Sequence, residues 1–460
     1  MVLRTHDLDK SSRSLFSKML IFALPIMAMN ILQLLFNAAD MIVVGRYSGS
    51  EALAAVGATG SLINLIVNLF MGLSVGTSVV TAQDYGAGNP DAVSRTVHTS
   101  IGISIIGGLI VMGVGLVLCE PLLILMGTPE DILHLSVLYM KIYFLGLPAS
   151  MIYNFGAAIL RAIGDSRRPM YFLTMTGIVN VLFNMFFVIV LNMSVDGVAW
   201  ATVISQYLAL VLIMVSLSRS VGAIRFRFHL LRIDSHKLKD IIKIGLPAGL
   251  QGLLFSISNV LIQSAVNSFG SVMVAASAAA GNVEGFVGTA MNGYYNAAIT
   301  FTGQSMGAKK YDRIDDIAKV CTILVFATWI LLGGATLLIG ESLLGLYTSN
   351  PEVIELGMLR LKVMMAAYFT CGTMNVFPGL TRAMGYSILP MLCTLVGACL
   401  MRIVWLSTVF RWYPTVIVLF MCYPVTWALA GLGQVASFFY ARSQIRKRAA
   451  LETESVEVSL

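Results

Sequence analysis

One pattern runs through this chain twice, at a constant separation of 221 residues. Arg161-Ala162-Ile163-Gly164-Asp165-Ser166, with Pro169 after it, returns as Arg382-Ala383-Met384-Gly385-Tyr386-Ser387 with Pro390. Gln83, Gly86 and Ala87 return as Gln304, Gly307 and Ala308. Gly49, Ala54, Ala55 and Gly72 return as Gly270, Ala275, Ala276 and Gly293, and Lys141 and Asn154 return as Lys362 and Asn375. Chance matches scatter in register, so a single shared offset argues for duplication. Both copies are strongly apolar. A membrane protein made of two equivalent halves usually keeps its substrate site between them and rocks one against the other. The repeat therefore points to a secondary transporter.

Of the 460 residues, 57% are hydrophobic and 12% charged. Soluble domains carry about 25% charge, which excludes that class. The apolar run after residue 18 is too long for a signal peptide and reads as a first spanning helix. About 20 apolar residues cross a bilayer. Twelve such segments are expected near 17–44, 53–80, 94–118, 133–159, 169–191, 197–218, 239–266, 273–302, 317–339, 353–380, 389–410 and 414–440. Six spans per half is an even number, so both halves enter from the same side and the repeats are parallel. The expected fold is an all-α integral membrane protein, with twelve transmembrane helices in two pseudo-symmetric six-helix bundles. Its expected parts are an N-terminal bundle over 1–218, a cytoplasmic linker over 219–238, a C-terminal bundle over 239–448 and a disordered tail over 449–460.

With the N-terminus inside, 24 of the 30 Lys and Arg fall on the cytoplasmic side, including Arg4, Lys10, Arg13 and Lys18 and the basic run from Arg219 to Lys243. The outer loops hold only Arg46 and Arg411. This asymmetry follows the positive-inside rule. It accounts for the net charge of +7 without a nucleic-acid partner. Both termini are expected in the cytoplasm of a multi-pass cell-membrane protein. The six cysteines form no CxxC pair or metal spacing and read as packing residues. No nucleophile–base, metalloprotease or P-loop pattern occurs. An enzyme and an ATPase subunit are therefore not expected, and an ion gradient must supply the energy.

Charges left at bilayer depth are functional candidates. Among the acids, only Asp40 and Glu284 lie well inside spans. Asn30, Gln33, Asn37 and Asp40 are spaced 3, 4 and 3 apart and share one helix face. Thr176, Asn180 and Asn184 share a face of the fifth span, and Thr202 lies two turns into the sixth. At ~1.5 Å per residue, Asp40 and Thr202 each lie ~9 Å below the outer surface. Asn184 lies ~22 Å above the inner one, which is the same level in a ~30 Å core. One carboxylate, two amide oxygens and a hydroxyl thus converge as hard ligands for Na⁺, or as a carrier for a proton.

Glu284, Lys141, Lys362 and Arg402 are further cavity or gating candidates, together with Gln33, Asn37 and Asn154. Lys362 is the expected partner of Glu284. Arg360 is expected to snorkel to the surface, and Arg402 to clamp helix-end carbonyls. Pro25 and Pro247 fall early in the first helix of each half and are hinge candidates.

These residues resemble the MATE family, the multidrug and toxic compound extrusion transporters, over roughly 15–440. The resemblance is carried by Leu24-Pro25, Asp40, Val44-Gly45 and Ala54-Ala55; by Gly72, Gly76-Thr77, Ala82-Gln83 and Gly86-Ala87-Gly88; and by Leu160-Arg161-Ala162, Gly164-Asp165, Pro169, Gly197, Ala199 and Ala201-Thr202. The second half repeats them as Gly245-Leu246-Pro247, Gly303-Gln304, Gly307-Ala308, Arg382-Ala383, Gly385 and Pro390. The resemblance implies two six-helix bundles around a V-shaped cavity, and drug efflux in exchange for Na⁺ or H⁺. It also implies a cation site in the N-terminal bundle like the Asp40, Asn180, Asn184 and Thr202 cluster. The chain departs from the branch with acids in helices seven and ten: the seventh reads Ser256-Ile257-Ser258-Asn259 and Gln263, and the tenth has Asn375.

The expected function is export of amphipathic, often cationic organic compounds by alternating access, from a monomer embedded in the bilayer. The cation would bind Asp40 from outside and lower substrate affinity in a central cavity. The alternative is a flippase for lipid-linked precursors, kept open by Lys141, Lys362, Arg360 and Arg402.

Overall fold

The computed structural model describes residues 12–459. Arg4 and Lys10 of the expected inner-face cluster lie outside them, as does the side chain of Arg13. The described chain is helical, with no strand. The first half supplies α1 (Ser12–Val43, continued by a π-helical turn Val44–Ser48), α2 (Ser50–Gly86), α3 (Pro90–Leu125), α4 (Glu130–Ala162), α5 (Arg167–Met185, continued by Phe186–Val190) and α6 (Val195–Arg219). The second half supplies α7 (Ser235–Asn267), α8 (Ser271–Gly307), α9 (Arg313–Thr328, Trp329–Gly333 and Gly334–Gly345), α10 (Pro351–Ala366 and Tyr368–Ala383), α11 (Ile388–Thr394, Leu395–Leu400 and Met401–Ser407) and α12 (Val416–Ser459). These are the twelve passes. Apolar side chains such as Val117, Leu125, Leu182, Leu338 and Leu432 stay exposed along them, as helices facing lipid require.

Ten of the helices are long and apolar enough to span by length and composition. The other two are α8, rich in Ala, Gly, Ser and Asn, and α10, whose backbone breaks at Ala367. The break has a visible cause. The indole nitrogen of Trp329 donates to the carbonyl of Met365 at 2.6 Å, taking an acceptor that an unbroken helix would use itself. The expected single span over 353–380 is thus two helices of 16 residues each.

The repeat survives as geometry. α2 and α8 are both 37 residues long, and α6 and α12 begin at Val195 and Val416, the same offset apart. Gly49 and Gly270 precede α2 and α8 with φ of 90° and 91°, and Gly164 and Gly385 turn the chain with φ of 92° and 91°. Side chains with a Cβ rarely adopt that conformation. Asparagine caps open α3 and α10: Asn89 accepts from the Ala92 amide and Asn350 from the Glu352 amide, each followed by proline at the first helical position.

The chain forms two compact units. Among the described residues, one spans 28–242, and the other spans 243–459 together with α1 up to Met27. In the first, α4 is buried along most of its length against α2, α3 and α6. In the second, α10 packs between α8 and α12.

The basic segment 219–238 is docked on the first unit. Lys237 pairs with Asp84 at 2.6 Å, His98 accepts from the Arg227 amide at 3.1 Å, and buried Phe226 stacks on His98. Asp234 receives the backbone N–H groups of Lys237 and His236 at the start of α7. The Lys237 amide, then that of His236 and the nearby Arg95, hold its carboxyl below the ordinary carboxylate value. At the other end α12 continues to Ser459, where an irregular tail was expected from 449. Ala449, Ala450, Leu451 and Glu452 are good helix formers, and they extend it.

Helices approach closely where glycine permits. A Cβ on Gly108 would lie 2.6 Å from the Pro148 Cα, which is backbone and cannot swing away. Gly108→Ala should therefore destabilise the α3–α4 contact by about 1–3 kcal/mol. Gly334, with open space around it, should accept alanine without loss. Thermal unfolding of the two variants in detergent checks this, and equal midpoints would refute it.

Candidate functional site

Helical spacing brings the first and fifth helices together at Asp40. Asn184 on α5 is completely buried and donates its Nδ2 to Asp40 Oδ1 at 2.7 Å. One polar end of the Asn180 amide lies 3.0 and 3.1 Å from the two Asp40 oxygens. Its other end lies 3.4 Å from the Thr202 hydroxyl and 3.4 Å from that of Ser205, both on α6. Thr202 donates its own proton to the Val198 carbonyl at 3.0 Å, and Ser205 donates to the Thr202 carbonyl at 2.7 Å. Thr202 therefore reaches the carboxylate through Asn180. Ser205, three residues on from Thr202 on the same helix face, was missed by the sequence reading, although the spacing carried it.

The Asn180 amide has two orientations with different chemistry. With nitrogen toward Asp40, it donates to both carboxylate oxygens. With nitrogen toward α6, its oxygen faces the carboxylate, and like dipoles oppose each other unless a proton or cation lies between them. The Asn184 Oδ1 is a second buried oxygen, without a hydrogen-bond partner. Among the described residues no basic side chain pairs with Asp40, and no group of three His, Cys, Asp or Glu gathers to hold a metal. A single carboxylate with neutral amide and hydroxyl oxygens suits a proton or a hard monovalent cation better than a transition metal.

The other candidates separate. Gln33 and Asn37 are exposed and take no part in the bonding of Asp40. Asn154 donates to the Ser150 carbonyl at 2.9 Å and lines an apolar recess of about 330 Å³, open mouth included, with Ile66, Phe70, Val111 and Met151. Its repeat twin Asn375 does the same to Cys371 at 2.8 Å. Pro25 and Pro247 both sit inside unbroken helices. Pro25 lies two residues before the chain passes from one unit to the other.

Glu284 does not pair with Lys362. It binds Arg360 through two bonds, 2.8 Å to Nε and 3.0 Å to Nη2. Arg360 does not snorkel: it is 8% exposed, bonds Ser277 as well, and lies over the rings of Phe420 and Tyr423. Two residues along a helix is a turn of about 200°, so Arg360 and Lys362 face opposite ways. Lys362 and Lys141 are both exposed. Arg402 does not clamp carbonyls. Its Nη1 donates to Ser258 Oγ at 3.2 Å and to Asn259 Oδ1 at 2.6 Å. The six cysteines are free thiols, four of them buried.

The MatE family model matches this chain over residues 25–186 and again over 247–406, once in each half. The chain is 27% identical over 396 residues to the probable multidrug resistance protein YoeA of Bacillus subtilis, covering 83% of this chain and 84% of that protein. It is 22% identical over 370 residues to the multidrug export protein MepA of Staphylococcus aureus, covering 80% and 82%. Among solved structures it is similar to a mutant of the Vibrio cholerae MATE transporter VcmN, with a TM-score of 0.88 at 22% identity over 94% of this chain and 98% of that one.

The Arg360–Glu284 pair yields a test. Glu284→Gln leaves a buried guanidinium uncompensated and should cost about 3–5 kcal/mol. Arg360→Met added to it should recover most of that loss. Lys362→Met should leave the thermal midpoint unchanged. A destabilised Lys362→Met beside an unaffected Arg360→Met would restore the rejected pairing.

Proposed function

The chain belongs to the MatE family of membrane transporters, and on that premise we propose that it exports amphipathic organic compounds in exchange for inward Na⁺ or H⁺ at Asp40. It is a transporter and not an enzyme. The observation that carries the coupling is a carboxylate inside an apolar helix bundle whose partners are all neutral. An ionised carboxylate there is costly, and binding a proton or Na⁺ removes the cost.

The cation binds as a transported substrate. Asp40 supplies the charge; the Asn184 Oδ1 and the Asn180 oxygen, when turned inward, supply neutral ligands. Loading the site therefore favours one orientation of Asn180 and emptying it favours the other. The first orientation ties Asn180 to α6 and the second ties it to α1, so the contacts among α1, α5 and α6 differ between the two states. A ligand shifts a conformational equilibrium only through such differential contacts. Cargo that prefers the opposite state is released when the cation enters. Pro25 in α1 is the proposed bending point.

Multidrug export is what the names of YoeA and MepA say of those proteins, and it supports the cargo proposed here. A lipid-linked cargo needs several free cations in one lining. Arg360 is already neutralised by Glu284, which favours the drug reading. The distribution of Lys and Arg supports placing both termini in the cytoplasm of a plasma-membrane protein.

Reconstitution tests the coupling. In proteoliposomes, a Na⁺ or a pH gradient imposed alone should drive ethidium movement, and Asp40→Asn should lower the driven rate about tenfold or more. Equal driven rates for wild type and variant, at equal reconstitution, would end the proposal. The orientation is read separately by impermeant thiol labelling. A cysteine replacing Arg46 should react from outside the cell and one replacing Arg225 should not, and the reverse pattern would invert the topology.

A further inference from the structure

The duplication assigns every position in the first half a twin 221 residues on, and the twin of the cation site carries the opposite charge. Asp40, Asn180, Asn184 and Thr202 correspond to Leu261, Met401, Trp405 and Tyr423. No carboxylate or amide survives. In its place stands Arg402 on α11, held by Ser258 and Asn259 of α7 and stacked on Tyr423 of α12. The first, fifth and sixth helices of each half build both clusters.

Register explains why the guanidinium comes from the twin of Val181 rather than of Asn180. In α11 the π-helical turn Leu395–Leu400 precedes Arg402, whereas in α5 the π-helical turn Phe186–Val190 follows Asn184. A π turn inserts one residue, so each position beyond it is rotated by one place. The inward place at this level passes from position 401 to 402.

Arg402 is completely buried. Its Nη1 has two neutral acceptors, and its Cζ lies 4.9 Å from the Phe255 ring and 5.0 Å from the Tyr423 ring. Its Nε and Nη2 have no partner. Those two nitrogens form the side edge of the guanidinium, the fork that takes two oxygens of one carboxylate in parallel. An arginine stays charged in a protein. Among the described residues no carboxylate pairs with it. Glu284, the acid inside the same unit, is engaged by Arg360 on its own account, and Arg360 also contacts the Tyr423 ring. The second unit therefore holds two buried guanidinium groups at this place against one carboxylate.

We propose that Arg402, with Ser258, Asn259, Phe255 and Tyr423, is a binding site for the carboxylate of an amphipathic organic acid. The acid places its two oxygens on Nε and Nη2, and Phe255 and Tyr423 pack against its apolar part. Arg402 is covered in this structure, so entry requires α7 or α11 to move. The π-helical turn beside Arg402 is an irregularity of the kind at which helices bend and at which functional sites occur. This rests on the export reading for its meaning, since the acid is then a class of cargo, but its chemistry is tested without transport.

The probe is dansylglycine, a fluorescent aryl acid, compared with its neutral carboxamide. Titrated onto the purified full-length chain in detergent, the acid should bind at least about tenfold more tightly than the amide. Arg402→Gln should abolish that preference, bringing the affinities of acid and amide together. Asn259→Asp sets a carboxylate beside Nη1 and fills the pair from within. It should also abolish the preference, with the folded state retained even if Arg402→Gln unfolds. Equal affinities of acid and amide for wild type, or a preference that persists in Asn259→Asp, would overturn the proposal. Inorganic phosphate competing as strongly as the acid would overturn the organic class. Ethidium transport by the wild-type chain reads the export reading separately: its absence sinks that reading and leaves the acid–amide comparison to decide this one.

Discussion

The cost of leaving an ionised or unbonded polar group in hydrocarbon governs every part of this molecule. It forces the backbone into helices that satisfy their own hydrogen bonds. It sends most Lys and Arg to the aqueous faces. It also sets the terms on which the remaining charges stay. Arg360 and Glu284 neutralise each other through two bonds, with aromatic rings beside them. Asp40 and Arg402 have only neutral partners. The first arrangement is balanced within itself. The other two hold a charge that a mobile ion or ligand can balance.

The two unbalanced groups stand at related places in a duplicated fold. After duplication, both halves kept the elements that fix the backbone: the glycines with positive φ at 49 and 270 and at 164 and 385, and the helix starts at 195 and 416. They diverged where side chains meet inside each unit. A shift in the position of one π-helical turn is enough to change which residue faces inward, because it displaces the register by one residue. The halves thus share architecture and differ in polarity.

Helix irregularities recur where side chains reach across to neighbouring helices. Trp329 takes the Met365 carbonyl and breaks α10 at Ala367. The linker is likewise held by specific partners, Lys237 on Asp84 and Phe226 on His98, which makes it part of the first unit rather than a loose tether.

The twelve passes, the repeat and the meeting of Asp40 with Asn180 and Asn184 were legible from the residues alone. Span length is fixed by bilayer thickness, and polar side chains three or four apart must share a helix face. The partner of Glu284 was not legible. Arg360 and Lys362 are equally basic and two residues apart, and only the rotation of α10 against α8 selects between them. Nor was the isolation of Arg402, because a sequence names a charge without saying which acids come near it. Local periodicity decides what a helix carries on each face; the packing of one helix on another decides which of those groups meet, and that depends on rotations and register shifts that no single segment contains.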